Sequence, residues 1–387
     1  MSAGTRVALF FAAIFAAGAV NGSFLPLFFA DRGLSPEAIG RVLGLAALLR
    51  VLAGPGWGSV ADRIGRRRPV LCAAGSVAAL AALGYVPLTG FPGFLAVASV
   101  QGMAAAALSP LVDSLALALA REQRLEYGPV RSAGSAAYML ASAVTGRLLT
   151  AAGTALVPWL LALGYAAAAA LAPLLPEAVV PRTAARPLAG LRMFALPPFR
   201  LTVAASALIQ GAHAAYYGFA PLFWRAQGYS DTLIGLLIAE GIVAEILLFA
   251  RGRKLVEHLG PAGLTACAAT ASAVRWSVTA MAPPLPILAA VQLLHAATFA
   301  MQHLSAMLVL SRCVPPERAA TAQALHAALG MGAPAGLMML LCGWLYARGG
   351  GGLAFLATAA CAGTALLLVG PLARAVRVTR SPPPATR

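Results

Sequence analysis

Long apolar runs rich in Ala, Leu and Gly, separated by short polar turns, follow one another along almost the whole chain. A transmembrane helix needs roughly 20 apolar residues, so a chain of 387 residues has room for about twelve such helices with their loops. A membrane β-barrel would instead show alternating segments of about ten residues. We therefore predict an all-α membrane protein. In chain order, its spans 1 to 12 are predicted at 6–29, 37–58, 69–88, 92–119, 130–152, 155–175, 200–223, 232–250, 261–281, 285–310, 319–346 and 352–373.

Composition and charge support a membrane location. Hydrophobic residues make up 60% of the chain and charged residues 10%, whereas a soluble domain usually carries about 25% charge. The net charge of +16 is compatible with nucleic-acid binding, but also with the collection of Lys and Arg in cytoplasmic loops. With the N-terminus placed inside, the outer loops hold only Arg32, Arg225 and Arg348. This asymmetry predicts a multi-pass protein of the bacterial inner (plasma) membrane, with both termini cytoplasmic, lipid contacts and no nucleic-acid partner.

An internal repeat divides the chain into two halves. Residues 33–40 (GLSPEAIG) resemble residues 228–235 (GYSDTLIG), and residues 24–28 and 219–223 share the pattern F-x-P-L-F at the same offset of 195 positions. Parallel repeats of this kind are typical of duplicated transporters with a central site. The predicted organisation is an N-terminal six-helix bundle at 1–175, a cytoplasmic linker at 176–198, and a C-terminal six-helix bundle with a short basic tail at 199–387.

The loop after span 2 carries a signature motif. Residues 58–68 read GSVADRIGRRR, which resembles the G-x-x-x-D-R-x-G-R-R motif of the major facilitator superfamily at its expected position. The resemblance implies two pseudo-symmetric six-helix bundles and a loop that latches the cytoplasmic side in the outward-open state. From the residues alone, Gly58 favours a close helix approach, Gly65 a tight turn, and Asp62 hydrogen bonds from a neighbouring helix N-terminus. The predicted latch residues are Gly58, Asp62, Arg63, Gly65, Arg66 and Arg67. A basic loop that only sets topology is the alternative.

Five further runs are similar to the phenylpropionate permease branch of the superfamily, whose relatives include galactoside and nucleoside proton symporters. These runs are QGAHAAYYGF at 210–219, VAE at 243–245, VRW at 274–276, QLLH at 292–295 and YGPVRSAGS at 127–135. The resemblance implies proton-coupled uptake of small aromatic acids. A second superfamily motif, R-x-x-Q-G in span 4, is only partly present, because Ala98 stands at the arginine position before Gln101 and Gly102.

Ionisable and polar residues inside the spans are the candidate functional groups. A charge at the bilayer centre costs about 2.5–3.5 kcal/mol on insertion scales, so it usually lines a polar cavity or forms a pair. In the superfamily, spans 1, 4, 7 and 10 line the cavity. The predicted substrate-binding residues are Asn21, Gln210, His213, Tyr217, Arg275, His295 and His303. The predicted proton-coupling or gating residues are Arg50, Asp113, Arg131 and Glu245.

Helix spacing orders the substrate-binding candidates. Gln210, His213 and Tyr217 are spaced to share one face of span 7, where they orient a carboxylate or hydroxyl group; interhelical hydrogen bonding is the alternative. His295 and His303 are about 80° apart on an α-helix of 3.6 residues per turn, so we expect both to touch the cavity at different depths.

Glu245 is preferred to Glu240 as the functional carboxylate of span 8, because its run carries the branch resemblance. The repeat offset aligns Glu245 with Arg50. Either these two residues pair, or Glu245 pairs with Arg131 and Asp113 with Arg50. Protonation of the carboxylate would release such a bridge and open a gate, whereas a permanent structural bridge is the alternative.

These features favour a proton-coupled symporter that imports a small organic, aromatic carboxylate by alternating access. Arg275 either binds the substrate carboxylate through two hydrogen bonds or neutralises Glu245. Efflux by proton antiport and symport of a sugar or nucleoside are alternatives. An intramembrane metalloenzyme built on the histidines is disfavoured, because the sequence has no H-E-x-x-H cluster. We predict no enzyme activity, cofactor or metal, and a monomer whose partners are a small-molecule substrate, protons and lipid.

Overall fold

The computed structural model describes residues 1–177, 192–315 and 318–378, and every regular element within these ranges is a helix. The linker predicted at 176–198 lies largely outside the described residues, apart from a short 3₁₀ turn at Arg192–Ala195. The end of the basic tail, 379–387, also lies outside them. The described helices follow the twelve predicted spans in order.

Several spans are built from two helices joined at a break. Spans 1 to 6 are Ala3–Ser23 with Leu25–Asp31, Pro36–Ile64, Arg67–Leu83, Gly90–Ala105 with Leu108–Arg121, Tyr127–Ala152, and Val157–Leu171. Spans 7 to 12 are Pro197–Gly211 with His213–Ala226, Asp231–Arg251, Arg253–Ala280, Leu285–Gln292 with Gln302–Cys313, Ala319–Leu325 with the first part of Ala333–Thr364, and the rest of Ala333–Thr364 with Val369–Val378. Spans 11 and 12 are separated at Gly350, whose φ of 72° is not helical. Among the described residues, seven stretches of helix satisfy the length and composition needed to cross a membrane.

The two copies of the sequence repeat have the same local structure. Gly33 and Gly228 both adopt a left-handed backbone, with φ of 83° and 87°. Two residues later a serine caps the following helix in each copy: Ser35 accepts a hydrogen bond from the backbone N–H of Ala38 at 3.2 Å, and Ser230 accepts one from Leu233 at 3.3 Å. Glycine has no Cβ to oppose the left-handed turn, and serine satisfies an otherwise unpaired N–H. The repeat therefore specifies matching turns before spans 2 and 8.

The chain forms two compact units that do not coincide with the two sequence halves. Unit 1 comprises Met1–Thr183, Tyr216–Val243 and Met339–Gly351. Unit 2 comprises Ala184–Ala215, Ala244–Met338 and Gly352–Arg387. The parts of spans 7, 8 and 11 that are predicted to lie nearest the outer surface thus pack with the first six spans. The division into halves at 1–175 and 199–387 stays a prediction from the repeat.

Inside unit 1, two close contacts between glycines each join one of the first six spans to one of the last six. Gly40 of span 2 meets Gly343 of span 11 so closely that a Cβ on Gly40 would lie 2.7 Å from the Gly343 Cα. Gly235 of span 8 meets Gly146 of span 5, and a Cβ on either residue would collide with the facing backbone. Gly40 and Gly235 occupy equivalent positions in the repeat. Small residues let membrane helices approach at their backbones, so this glycine is explained by packing in both copies.

Candidate functional site

A buried polar network in unit 2 centres on Arg275 of span 9, which has no exposed surface. Its Nη2 donates to Gln292 Oε1 at 2.7 Å, and its Nη1 donates to His295 Nδ1 at 3.0 Å and to Thr298 Oγ1 at 3.2 Å. A guanidinium has only donors, so His295 Nδ1 is the acceptor and the neutral ring carries its hydrogen on Nε2. That Nε2 lies 3.3 Å from Glu245 Oε2. His295 therefore bridges the carboxylate of Glu245 to the guanidinium of Arg275.

His213 extends this network into span 7. Its Nδ1 lies 3.0 Å from the Ile209 carbonyl oxygen and its Nε2 lies 3.2 Å from Thr298 Oγ1. Because a carbonyl only accepts, Nδ1 carries the hydrogen and Nε2 accepts from the Thr298 hydroxyl. Gln210, one turn earlier, donates to the Phe299 carbonyl at 3.2 Å. Both residues thus make the interhelical contacts given above as the alternative to substrate binding, and their binding role stays a prediction.

The third residue predicted on this face, Tyr217, belongs to unit 1. It is half-buried, and its ring packs edge-on against Tyr216 with centroids 5.2 Å apart. The helical hydrogen bonding of span 7 is interrupted at Ala212, between Pro197–Gly211 and His213–Ala226.

The two histidines of span 10 flank one aromatic ring and so lie on the same side of the helix. The Phe299 ring stacks between them, with centroids 5.6 Å from His295 and 6.4 Å from His303 and interplanar angles of 10° and 2°. The physical reason is the π-helical stretch Ala296–Met301. A π-turn contains more residues than an α-turn, so side chains four residues apart come closer to the same direction around the helix axis.

Asp113 of span 4 forms a second ion pair, inside unit 1. Its Oδ1 lies 3.5 Å from Arg131 Nε and accepts a hydrogen bond from the Tyr127 hydroxyl at 3.0 Å, while its Oδ2 accepts from Ser109 at 3.1 Å. The Arg131 guanidinium also lies over the Phe15 ring, 4.3 Å from its centroid. Asp113 therefore pairs with Arg131, and the predicted pairing of Asp113 with Arg50 is not the one observed.

Asn21 lies in a network of uncharged polar groups in unit 1. The buried amide of Gln101 donates to Asn21 Oδ1 at 3.1 Å and accepts from the Tyr85 hydroxyl at 2.8 Å. Tyr165 lies near the same amide and within electrostatic reach of Arg50. Arg50 itself is exposed, and no carboxylate of the described residues lies within ion-pair distance of it.

The loop predicted as a latch is held by ion pairs at the end of span 6. Gly65 has a φ of 70° and its N–H donates to the Ala61 carbonyl at 2.9 Å, as a tight turn requires. Arg66 and Arg68 lie 3.9 and 3.6 Å from Glu177 Oε1. Glu177 was missed in the sequence because it stands alone at a predicted span end.

Two expectations for the latch residues are wrong. A Cβ on Gly58 would meet no atom within 4 Å, so this glycine does not serve a close helix approach. Asp62 lies 3.9 Å from Arg67 Nη2 rather than accepting from a helix N-terminus, because Arg67 begins span 3 and turns back towards it. Arg67 Nε also donates to Ser114 of span 4 at 3.0 Å, and Arg63 is exposed. The latch function itself stays a prediction.

Other polar groups of unit 2 were not singled out from the sequence. Ser206 lies 2.9 Å from His326 Nε2 and accepts from Gln302 Nε2 at 2.9 Å, which ties spans 7, 10 and 11 together. His326 begins a second π-helical stretch, His326–Gly332. Among the partners of Arg275 that were not singled out, Gln292 had a sequence signal, because it stands three residues before His295 in the run QLLH.

Arg225 links the repeat ends within unit 1. It donates to Asp31 Oδ1 at 3.0 Å and, through two nitrogens, to Asp231, with a shortest distance of 2.7 Å. The hydroxyl of Thr154 donates to the other oxygen of Asp31 at 2.6 Å. The end of span 1, the end of span 7 and the start of span 8 are thereby joined around one guanidinium.

Comparison with known proteins identifies the family of the chain. Residues 5–357 match the family described as the MFS_1 like family. A "Probable 3-phenylpropionic acid transporter" of Escherichia coli is 33% identical over 84% of this chain and 87% of its own length. A "Maltose permease" of Geobacillus stearothermophilus is 29% identical, covering 89% of this chain and 88% of its own length.

Solved structures show the same fold. The crystal structure of the nucleoside transporter NupG superposes with a TM-score of 0.77 at 16% identity, covering 97% of this chain and 99% of that one. That of a D-xylose-proton symporter superposes with a TM-score of 0.72 at 18% identity, covering 95% and 96%. These structural likenesses confirm the predicted twelve-helix fold.

Proposed function

Because the chain belongs to the MFS_1 like family of the major facilitator superfamily, we propose that it is a proton-coupled symporter that imports a small aromatic carboxylate by alternating access. Membership of this family makes it a multi-pass membrane transporter and not an enzyme, as predicted. The substrate class is supported by the 33% identity to a protein named as a probable 3-phenylpropionic acid transporter.

Proton coupling is carried by the chain of contacts from Glu245 through His295 to Arg275. Glu245 is buried, and its carboxylate lies 3.3 Å from the imidazole that accepts a hydrogen bond from the guanidinium. While Glu245 is ionised, its charge balances that of Arg275 across the ring. Protonation removes this balance, so a proton changes the relative stability of two arrangements of spans 8, 9 and 10. Of the two roles predicted for Arg275, its complete burial favours neutralising Glu245 over contacting the substrate.

The membrane arrangement follows from charge. We propose a bacterial inner-membrane location with both termini cytoplasmic, supported by the scarcity of Lys and Arg in the predicted outer loops. The working unit is a monomer whose partners are the substrate, protons and lipid.

The function is tested by uptake into proteoliposomes that carry the purified chain. With an inward proton gradient, labelled 3-phenylpropionate should accumulate, and an uncoupler should abolish the accumulation. Maltose, xylose and uridine serve as competing substrates, chosen to represent the sugar and nucleoside alternatives. Uptake of the acid that ignores the uncoupler would remove proton coupling. Transport of a sugar or nucleoside, with none of the acid, would reassign the substrate.

His213→Ala should weaken binding of 3-phenylpropionate by about 5- to 150-fold. The histidine accepts from Thr298 and its ring packs edge-on against Trp276, 5.3 Å between centroids. Truncation removes both contacts from the buried network of spans 7, 9 and 10, and a coupling free energy of about 1–3 kcal/mol between this network and the substrate site corresponds to that change in affinity. Isothermal titration calorimetry on purified protein measures the affinity, with His258→Ala as the control because His258 is exposed. An unaltered affinity in His213→Ala would return His213 to a packing role.

A further inference from the structure

Arg50 occupies a position in which a charged side chain has no route to water at the membrane surface. It is the middle residue of Pro36–Ile64 and lies eight residues before the predicted cytoplasmic end of span 2 at residue 58, or about 12 Å at 1.5 Å per residue. An arginine near a helix end extends its side chain to the interface, but that distance is beyond its reach. Arg147 is also an exposed arginine within a span, and it forms no ion pair with the described residues. It lies only five residues from the end of Tyr127–Ala152. The interface therefore explains Arg147 and does not explain Arg50.

The surroundings of Arg50 are polar and come from four spans of unit 1. Ala46, one turn before Arg50, carries the carbonyl that faces Gly102 of span 4, so the face of span 2 that carries Arg50 is turned towards span 4. Tyr165 of span 6 lies close enough to Gln101 and Arg50 to feel both groups. Gln101 in turn donates to Asn21 of span 1. Arg50 thus belongs to the polar centre of the unit.

The open polar atoms of this cluster are hydrogen-bond donors. Asn21 uses its Oδ1 to accept from Gln101 at 3.1 Å, which leaves its NH₂ group to donate. A guanidinium has five donors and no acceptor. Asn21 is half-buried and Arg50 is exposed, and neither donates to another group of the described residues. Donors of this kind, with a positive charge and no nearby carboxylate, match the two oxygens of a carboxylate anion.

We propose that Arg50, assisted by Asn21, binds the carboxylate group of the transported substrate. This assignment rests on the proposed function and moves the anion site from Arg275, which is fully buried with both Nη atoms donating. It also separates two tasks: unit 1 recognises the anion, and unit 2 holds the titrating group Glu245. A substrate analogue without the negative charge gains nothing from Arg50, so the residue determines selectivity for acids over amides.

The test compares the binding of 3-phenylpropionate and 3-phenylpropanamide to purified protein by calorimetry. Arg50→Gln should weaken binding of the acid at least about tenfold, as expected for loss of a charge-assisted pair, and leave binding of the amide unchanged. Arg50→Lys, which keeps the charge but not the two-pronged geometry, should fall between Arg50→Gln and the unmodified protein. Arg147→Gln is the matched control and should bind both ligands as the unmodified protein does.

A second variant adds a negative charge to the site instead of removing a positive one. Asn21→Asp has nearly the same shape but adds a carboxylate beside the donors, so it should compete with the substrate and weaken binding of the acid at least about tenfold. Equal affinities for the acid in Arg50→Gln and Arg147→Gln would overturn the assignment of Arg50 while leaving the proposed function standing. Failure of the unmodified protein to bind 3-phenylpropionate at all would overturn the proposed function itself.

Discussion

Glutamine in place of Glu245 should abolish proton-driven accumulation of substrate and leave substrate exchange intact. The amide has nearly the size of the carboxylate, whose Oε2 lies 3.3 Å from His295 Nε2 in the native protein, and its oxygen is also an acceptor. The amide cannot take up or release a proton, so the contacts among Glu245, His295 and Arg275 stay in one charge state. Translocation of bound substrate then continues in both directions, but it is no longer driven by the proton gradient.

Two assays on one preparation separate these steps. Accumulation under an inward proton gradient should fall at least about tenfold, the change expected from losing about 1.4 kcal/mol of driving free energy. Counterflow exchange of 3-phenylpropionate across membranes at equal pH should keep its native rate. Glu240→Gln is the matched control, because Glu240 is a half-buried carboxylate five residues earlier on span 8. Undiminished accumulation in Glu245→Gln would remove Glu245 from the coupling mechanism.

Much of the fold was predictable because the bilayer imposes strong constraints on sequence. Each span must be long and apolar, and the turns between spans must hold glycine and capping residues at defined positions. The repeat at Gly33 and Gly228 shows this most clearly, since both glycines have the same left-handed backbone. The breaks inside spans 1, 4, 7 and 10 were not predicted, although polar residues or glycine stand at three of them, at 21–23, 210–211 and 292–295.

The candidate site was predictable in its members but not in its connections. Glu245, Arg275 and His295 were all recognised as costly groups inside spans. That His295 stands between the other two depends on how spans 8, 9 and 10 pack, which one-dimensional spacing does not contain. The π-helical stretch Ala296–Met301 is a further example. It aligns His295 with His303, and no residue in the stretch distinguishes it from an ordinary α-helix.

The contacts between glycines could not be predicted from the sequence, because the two glycines of each contact are far apart along the chain. Gly40 and Gly235 were noted only as members of the repeat, whereas Gly343 and Gly146, which face them, were not noted at all. The contacts of Gly58 illustrate the reverse error. A motif glycine was expected to permit a close approach, yet a Cβ at this residue would have no neighbouring atom within 4 Å. A glycine's role is therefore decided by what faces it, which only the structure supplies.

Gly235→Ala should reduce transport by about 5- to 150-fold, because overpacking at such a contact costs about 1–3 kcal/mol. The added methyl group would collide with the Ser142 carbonyl oxygen and lie 3.3 Å from the Gly146 Cα, so spans 5 and 8 must separate. Backbone atoms cannot turn aside as a flexible side chain does. Alternating access requires helices to form and release such contacts in every cycle, so a crossing that no longer closes slows the cycle.

The repeat supplies an internal replicate for this experiment. Gly40→Ala should have an effect similar to that of Gly235→Ala, because its Cβ would lie 2.7 Å from the Gly343 Cα. Gly54→Ala is the matched control: it also adds a methyl group to a glycine within Pro36–Ile64, but nothing lies within 4 Å of that position. Initial rates of 3-phenylpropionate uptake, normalised to the amount of folded protein recovered by size-exclusion chromatography, measure the effect. If Gly235→Ala transports as fast as Gly54→Ala, the close crossing of spans 5 and 8 is not required for transport.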